Sequence, residues 1–267
     1  MEKPLKIQNL NCQQTVEKLS VFIKSIIEQS GAKGVVLGLS GGVDSSLTVA
    51  LCVHALGKDR VLGLLMPASF TPQQDTDDAH YLAEQLGIKT EVVSIQRITD
   101  AFLNSLDLDQ RDERARRKAV ANVRARIRMV ITYYYANAFN YLVAGTSDRS
   151  ELLIGFFTKH GDGGADFLPI SSLYKTQVRE LAKYLGIPET VAYKPSNPQL
   201  YPNQKLADEL PLIYHDLDPI LVGLFDLKLS PKDVSSRTNI PLTIVENILH
   251  RYNVSEHKRS PTPQAPD

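Results

Sequence analysis

The sequence predicts an α/β protein in which a doubly wound parallel sheet is flanked by helices and followed by irregular and helical C-terminal elements. Three observations support this prediction. Short apolar runs alternate with segments of helical periodicity up to residue 146, a glycine-rich turn follows the first run, and regular patterns become rarer beyond residue 146. Such alternation is typical of parallel strands covered by helices on both faces, with ligands bound at the carboxyl ends of the strands.

Each predicted element has its own signal in the sequence. Residues 12–29 carry apolar side chains at helical spacing and end at Ser30-Gly31, a stop signal. Apolar runs rich in β-branched residues predict strands at 35–39, 61–67, 89–95 and 140–145. Further helices are predicted between these strands, over 112–138, over 174–185 and, as two short helices, after residue 211. Residues 155–167 hold four glycines and predict a functional loop, and 194–211 predict a long irregular connection.

Composition and charge argue against several classes of protein. Thirty basic and thirty acidic residues give a net charge of zero, which disfavours a protein that grips nucleic acid or anionic membranes through bulk charge. The apolar runs are far shorter than the roughly 20 residues that a membrane helix needs. The N-terminal residues lack the pattern of a secretory signal, so a cytoplasmic location is expected. Cys12 and Cys52 form no CxxC pair, and no catalytic role is predicted for either.

The most specific signal, LSGGVDSS at residues 39–46, lies between a predicted strand and the start of a predicted helix. Unpaired backbone N–H groups at a helix start bind anions, and glycines allow phosphates to approach the backbone closely. The segment therefore predicts a pyrophosphate-binding loop. A glycine-rich turn with a Ser or Asp helix cap is the alternative. The P-loop kinase pattern does not fit, because no Lys-Ser/Thr pair follows the glycines.

The segment SGGVDSS resembles the pyrophosphate loop of the ATP-pyrophosphatase, or adenine nucleotide alpha hydrolase, superfamily, whose members activate a carbonyl or carboxylate by adenylation. The resemblance implies a Rossmann-like fold and ATP binding by consecutive residues of the loop. These are Gly38, Leu39, Ser40, Gly41, Gly42, Val43, Asp44, Ser45 and Ser46.

Four motifs further along the chain are similar to NAD synthetases in order and spacing. They are NVRARIRM from residue 122, LVAGT from 142, SELLIGFFTKHGDGGAD from 150 and LYKTQVR from 173. With the phosphate loop, the resemblance runs from about residue 12 to about residue 258. It implies one NAD synthetase domain over residues 1–258, with a disordered tail over 259–267.

This resemblance implies an ammonia-dependent NAD synthetase that adenylates the nicotinate carboxylate of deamido-NAD with ATP and then forms the amide with ammonia. Asp44, Lys175 and Asp162 would be catalytic, and Asp44 and Glu151 would bind Mg²⁺. Further ATP contacts would come from Thr146, Lys175 and Ser196. Taken alone, Asp44 or Glu151 would be interpreted as a surface acid, Asp44 also as a helix cap. A lysine at a helix start, as at Lys175, is electrostatically disfavoured unless an anion lies close by.

Deamido-NAD would bind to six residues under the same resemblance: Asn122, Arg126, Lys159, Asp166, His257 and Lys258. Asn122 and Arg126 are four residues apart, so they share one helical face and can bind one ligand. For His257 and Lys258, a disordered basic end of the chain is the alternative. Asp162 or Asp166 would position ammonia or accept its proton.

The resemblance also implies a homodimer that uses free ammonia or ammonia from a separate glutaminase, with neither nucleic acid nor membrane as a partner. Residues 195–214 depart from the usual family pattern, which leaves the geometry of this cover segment open. Alternative functions are another amidotransferase of the superfamily, a transfer-RNA modifying enzyme, or a non-catalytic adenine-nucleotide binding module. Pyrophosphate release distinguishes the last alternative from an enzyme.

Overall fold

A computed structural model of the protein describes residues 4–106, 112–195, 199–202 and 204–265. Within these residues, four strands form one sheet in the order β3-β2-β1-β4, and all neighbouring strands are parallel. The strands are β1 (Gly34–Gly38), β2 (Val61–Leu65), β3 (Lys89–Val92) and β4 (Tyr141–Val143). The chain moves outward from β1 to β3 and then returns to β4 on the other side of β1. The order therefore reverses between β1 and β4, where α/β proteins bind ligands.

Twelve α-helices lie within the described residues. They are α1 (Cys12–Ser30), α2 (Val43–Leu56), α3 (Gln73–Leu86), α4 (Gln96–Asn104), α5 (Glu113–Phe139), α6 (Arg149–Ile154), α7 (Lys175–Tyr184), α8 (Glu189–Ala192), α9 (Tyr214–Leu221), α10 (Pro231–Thr238), α11 (Leu242–Val254) and α12 (Glu256–Arg259). Short 3₁₀ turns lie at Lys58–Arg60 and Leu206–Asp208, and a π-helical turn at Val222–Asp226. No helix in the described part of the chain is long and apolar enough to cross a membrane.

The central strands β1 and β2 are buried on both faces of the sheet, which confirms the doubly wound prediction. Successive residues of β1 point to opposite faces, as strand geometry requires. Val35 and Leu37 pack with α1, α2 and α7 in one core, whereas Val36 packs with β2, β4 and α5 in a second core. A third core joins the C-terminal helices α9, α10 and α11. Cys52 is buried in the first core, and burial raises the pKa of its thiol to about 12, consistent with a packing role.

Capping residues explain where the two longest helices begin and end. The Asn11 side chain accepts a hydrogen bond from the first turn of α1, and Gly31 ends that helix at φ 66°. Asp112 caps the start of α5 in the same way, and Asn140 ends it at φ 55°. The predicted bounds of both helices are therefore confirmed to within one residue at each end.

The C-terminal region differs from its prediction. Four helices, rather than two, follow residue 211 in the described chain. Lys228 and Asn239 adopt positive φ values and separate α9, α10 and α11, although neither residue is glycine. The short helices α6 and α8 were also not predicted, since each is too brief to show a helical period.

Candidate active site

A cavity of about 610 Å³ lies at the carboxyl ends of β1, β2 and β4. Most of the phosphate loop, residues 38–46, forms one wall, and Ala125, Arg128 and Met129 of α5 form another. Thr146, Glu151 and Asp162 border the same space. The cavity is therefore at the point where the strand order reverses, and it joins residues that are far apart in the sequence.

The backbone of the phosphate loop is shaped by its two glycines. Gly41 has a φ of 73°, and a Cβ added there would lie 2.1 Å from the main-chain oxygen of Asp75. Gly42 precedes α2 without a side-chain cap among the described residues. Ser45 braces the turn, because its hydroxyl accepts from the Ser40 amide at 3.2 Å and donates to the Gly42 carbonyl at 3.1 Å. The start of α2 is thus left open towards the cavity, as anion binding at a helix start requires.

Beside the loop, one buried lysine contacts three carboxylates. Lys175 is the first residue of α7, and its side chain is 0% exposed. Its Nζ lies 2.6 Å from Asp44 Oδ2, 2.9 Å from Glu151 Oε1 and 3.2 Å from Asp148 Oδ2. We refer to Lys175, Asp44, Asp148 and Glu151 as the Lys175 cluster. These carboxylates supply the negative charge that a lysine at a helix start requires.

The sequence around α6 explains how two of these carboxylates are held. Asp148 Oδ1 accepts from the Glu151 amide at 2.8 Å, and Glu151 Oε2 accepts from the Asp148 amide at 3.4 Å. This reciprocal pair is a capping box, for which D-x-x-E is the sequence signal. The same helix start therefore orients both carboxyl groups towards Lys175.

Burial and charge shift the ionisation of the cluster in opposite directions. Burial raises the pKa of Asp148 to about 7 and that of Glu151 well above its ordinary value, although Lys175 opposes both shifts. Burial alone would lower the pKa of Lys175, but Asp148, Asp44 and Glu151 raise it well above its ordinary value. Lys175 is accordingly a permanent cation, and the carboxylates outnumber it.

A second group of predicted residues meets around the glycine-rich loop, residues 155–167. Thr158 Oγ1 donates to Asn122 Oδ1 at 2.9 Å, and Arg126 Nη2 donates to the Lys159 carbonyl at 3.3 Å. Lys159 Nζ in turn donates to the His257 carbonyl at 2.5 Å. The structure thus brings together residues of α5, of this loop and of α12, as the shared-ligand prediction requires.

The basic end of the described chain packs against the same loop. Lys258 Nζ donates to the carbonyls of Gly155 and Phe157, at 2.7 Å each. Burial lowers the pKa of Lys258. Arg259, which was placed in the predicted tail, is the last residue of α12 and donates to the Leu152 carbonyl at 3.1 Å. The alternative of a disordered basic end at His257 and Lys258 is therefore wrong.

The two acids of the loop lie in different surroundings. Asp162 Oδ1 accepts from the Thr158 amide at 2.9 Å, and its carboxylate borders the cavity. Although solvent reaches Asp162, the surrounding protein raises its pKa. Asp166 instead accepts from the Val143 amide at 2.7 Å and from the Tyr133 hydroxyl at 3.1 Å, so it fastens the loop to β4.

Comparison with known proteins assigns this arrangement to a family. The family model described as NAD synthase matches residues 15–262. The chain belongs to the NAD synthase family. A relative in Hyperthermus butylicus, named NH(3)-dependent NAD(+) synthetase, is 49% identical over 263 residues, which are 98% of this chain and 93% of the relative.

Solved structures support the same assignment to the NAD synthase family. An NMN synthetase from Francisella tularensis is 32% identical, with a TM-score of 0.82, and the match covers 96% of this chain and 99% of that one. An NH3-dependent NAD synthetase from Campylobacter jejuni, in complex with nitrate, is also 32% identical, with a TM-score of 0.80 and coverage of 97% and 100%. The adenine nucleotide alpha hydrolase-like fold is therefore confirmed.

The segment that departs from the family pattern, residues 195–214, begins beside the phosphate loop. Lys194 Nζ forms ion pairs with Asp75 and, at 2.7 Å, with Asp78. The Gln199 amide also donates to Asp75, which links the segment to α3. Ser196, predicted to contact ATP, lies outside the described residues.

Several polar residues in and around this candidate site were not predicted from the sequence. Asp148 is absent from the predicted site residues, although D-x-x-E before a helix is a signal for its capping role. Tyr214 and Asp218 are four residues apart on α9, and both are buried. Arg128 borders the cavity, and its Nε donates to the Met66 carbonyl at 3.1 Å. Acidic and basic residues of these kinds look like surface residues until the tertiary structure buries them.

Proposed function

We propose that this chain is an ammonia-dependent NAD synthetase. In this reaction the nicotinate carboxylate of deamido-NAD attacks the α-phosphorus of ATP, and pyrophosphate leaves. Ammonia then attacks the acyl carbon of the adenylate, AMP leaves, and the amide of NAD is formed with loss of a proton. The observation that carries the proposal is the cavity that joins the phosphate loop to both the Lys175 cluster and Asp162.

The phosphate loop and the Lys175 cluster are proposed to bind ATP. The open start of α2 would bind the polyphosphate. Lys175 would bind phosphate oxygens in place of some of the carboxylates that contact it in the structure. The Thr146 hydroxyl borders the same cavity and would donate to the nucleotide. Stabilising negative charge on the phosphates and holding the reacting groups in place are the main contributions that a protein makes to such a transfer.

The Lys175 cluster also fits a divalent cation. Three carboxylates face one ammonium group, and Asp44 Oδ1 is buried without a hydrogen-bond partner among the described residues. Asp44 and Glu151 would hold Mg²⁺ together with phosphate oxygens, because hard oxygen ligands suit this ion. When bound, Mg²⁺ neutralises the polyphosphate and so permits an anionic nucleophile to approach.

The residues around the glycine-rich loop are proposed to bind deamido-NAD. Lys159 and Arg126 are cations without an ion-pair partner in the described part of the chain, and Asn122 adds an amide group. A dinucleotide carries two phosphates and a carboxylate, for which such groups are suitable partners. Both oxygens of Asp166 are engaged by the protein, so its support for this site would be through the loop.

Asp162 is the acid best placed to assist ammonia. Its carboxylate borders the cavity, where an ionised acid can accept a proton from a reacting amine. When ammonia attacks the acyl carbon, its nitrogen becomes positively charged. This nitrogen must lose a proton as the amide forms. The homodimer, the cytoplasmic location and a separate glutaminase stay predictions.

The proposal is tested by product analysis of the purified chain with Mg-ATP, deamido-NAD and ammonium. We expect equal amounts of NAD and AMP, with glutamine unable to replace ammonium and with Asp44→Ala inactive. Nicotinate mononucleotide serves as the comparison substrate, since the Francisella tularensis neighbour is an NMN synthetase. Amidation of the mononucleotide in preference to deamido-NAD would replace the proposed substrate, and no AMP with either compound would refute the proposed reaction.

A further inference from the structure

A further carboxylate, that of Asp218, is buried next to the Lys175 cluster. It is on α9, its side chain is 0% exposed, and none of the roles above involves it. Asp218 Oδ1 accepts from the Ser150 hydroxyl at 2.6 Å. Its Oδ2 accepts from both the amide and the hydroxyl of Thr176, at 2.8 Å each. Three short hydrogen bonds to one buried carboxylate indicate a fixed arrangement.

These three donors belong to the first turns of two different helices. Ser150 is the second residue of α6, and Thr176 is the second residue of α7. Ser150 Oγ also accepts from the Lys175 amide at 3.0 Å. Asp218 therefore ties the start of the helix that carries Glu151 to the start of the helix that carries Lys175.

Only an ionised carboxylate satisfies all of these donors. A carboxylate accepts at both oxygens, whereas an amide must present N–H groups at one end. An asparagine at position 218 would therefore direct two N–H donors at either Ser150 or Thr176. The negative charge also lies at the N-terminus of α7, where it is electrostatically favourable and offsets the unfavourable position of Lys175.

The helix that carries Asp218 also contacts the lysine directly. Tyr214 lies one turn earlier on α9, and its ring centre is 5.1 Å from Lys175 Nζ. Ring faces attract ammonium groups at such distances. α9 therefore supports Lys175 at two points. Tyr214 contacts its ammonium group, and Asp218 holds the first turn of α7.

We infer that Asp218 is a positioning residue, which holds Lys175 and Glu151 in the relative placement that adenylation requires by fastening the first turns of α6 and α7. The inference rests on the proposed function. Loss of the carboxylate would leave the cluster in place but loosen it, and displacements of about 1 Å can cost on the order of a hundredfold in rate.

The test compares Asp218→Asn with Asp216→Asn, which makes the same chemical change at an exposed position of the same helix. The Asp216 side chain is 43% exposed. Among the described residues, it contacts only His215. For Asp218→Asn we expect kcat to fall by about ten- to a hundredfold, as for other residues that orient ligands, with each KM changed less than about threefold. Asp216→Asn should leave kcat and KM unchanged.

A second readout follows the placement of Lys175 without using activity. The wild-type chain and both variants are treated with an amine-acetylating reagent, and modification of Lys175 is quantified by peptide mass spectrometry. We expect Lys175 to be protected in the wild type and in Asp216→Asn, and to react at least severalfold faster in Asp218→Asn. Thermal unfolding of each variant shows whether the fold is intact at the assay temperature.

The outcomes separate the inference from the proposed function. Unchanged kcat and unchanged Lys175 protection in folded Asp218→Asn would overturn the inference. The inference would also be overturned if Asp218→Asn had wild-type activity at every temperature at which it is fully folded, because the loss would then come from unfolding. If the wild type forms no NAD, the proposed function fails, and Lys175 protection still decides whether Asp218 positions the cluster.

Two milder variants keep the test decisive if Asp218→Asn does not fold. Ser150→Ala and Thr176→Val each remove one hydroxyl donor to Asp218 and keep the carboxylate. We expect each to lower kcat and raise Lys175 reactivity, and the double variant to show a loss that is not the product of the single losses, because the two groups share one partner. Wild-type values in both single variants would overturn the inference.

Discussion

The two ends of the site hold their cations in different ways. In the Lys175 cluster, a fully buried lysine is bound by the side chains of three acids. Around the glycine-rich loop, Lys159 and Lys258 are bound by main-chain carbonyls instead. Carbonyl groups satisfy the hydrogen-bonding capacity of a lysine but leave its charge in place, whereas carboxylates neutralise it.

Under the proposed function, this difference would allow one protein to bring two anionic substrates together. Under the proposed assignment, the three carboxyl groups around Lys175 favour ATP that arrives with a cation. The ammonium groups of Lys159 and Lys258 are bound by main-chain carbonyls, so under the proposed assignment they would favour the phosphates of deamido-NAD directly. On this account, substitutions at the first end abolish chemistry, and substitutions at the second end weaken the binding of one substrate.

Lys175→Gln should produce the largest effect. It removes the cation of the Lys175 cluster, and we expect kcat to fall by about a thousandfold, as for loss of a main electrostatic group. The unfolding free energy should fall by about 3–5 kcal/mol, because the buried Asp148 and the partly buried Asp44 and Glu151 lose their cationic partner. Steady-state kinetics and urea unfolding measure the two effects.

Lys183→Gln provides the matched control for Lys175→Gln. Lys183 is on the same helix, and its ion pair with Glu189 is exposed, with both side chains more than half accessible. The control should retain the wild-type rate and stability. Similar losses in both variants would show that α7, rather than the buried ammonium group, is what the reaction needs.

Lys159→Met should produce a smaller and more selective effect. We expect the KM for deamido-NAD to rise about tenfold or more, since a hydrogen bond to a charged group is worth about 1.5–3 kcal/mol. The KM for ATP should change less than about twofold, because Lys159 lies at the other end of the site. Lys18→Met on the exposed face of α1 is the control. An equal rise in both KM values would contradict the proposal that the two ends of the site bind different substrates.

Asp148→Asn should change the pH dependence of stability. Burial raises the pKa of Asp148 to about 7 in the folded chain from an ordinary value of 3.8. The folded chain thus keeps this proton in a pH range where the unfolded chain has released it. The unfolding free energy of the wild type minus that of Asp148→Asn should therefore fall as the pH rises from about 4 to about 7, and then level off. Urea unfolding at several pH values measures this difference, and a constant or rising difference would contradict it.

The sequence was sufficient to predict the parallel sheet and the phosphate loop, because both depend on local patterns. Apolar runs of β-branched residues marked the strands, and SGGVDSS marked the turn after β1. The meeting of Asp44 with Lys175, which are 131 positions apart, was reached only through resemblance to a family. Periodicity alone says nothing about contacts at such separations.

The sequence was not sufficient to predict which acids would be buried. Asp148 and Asp218 are fully buried and Asp216 is exposed, yet no local pattern predicts this difference, because the D-x-x-E signal at Asp148 indicates a helix cap and not burial. Their burial depends on the packing of α6, α7 and α9, which are distant in the chain. The number of C-terminal helices was also missed, because the breaks at Lys228 and Asn239 use neither glycine nor proline at the residue with positive φ.

The most direct test of the account is exchange of labelled pyrophosphate into ATP without ammonium. If the two ends of the site bring ATP and deamido-NAD together for adenylation, exchange should occur with deamido-NAD present and stop when deamido-NAD is omitted. It should also be abolished by Lys175→Gln and restored in Lys159→Met by raising the concentration of deamido-NAD. Exchange that does not depend on deamido-NAD, or no exchange in a chain that forms NAD, would contradict the proposed adenylate.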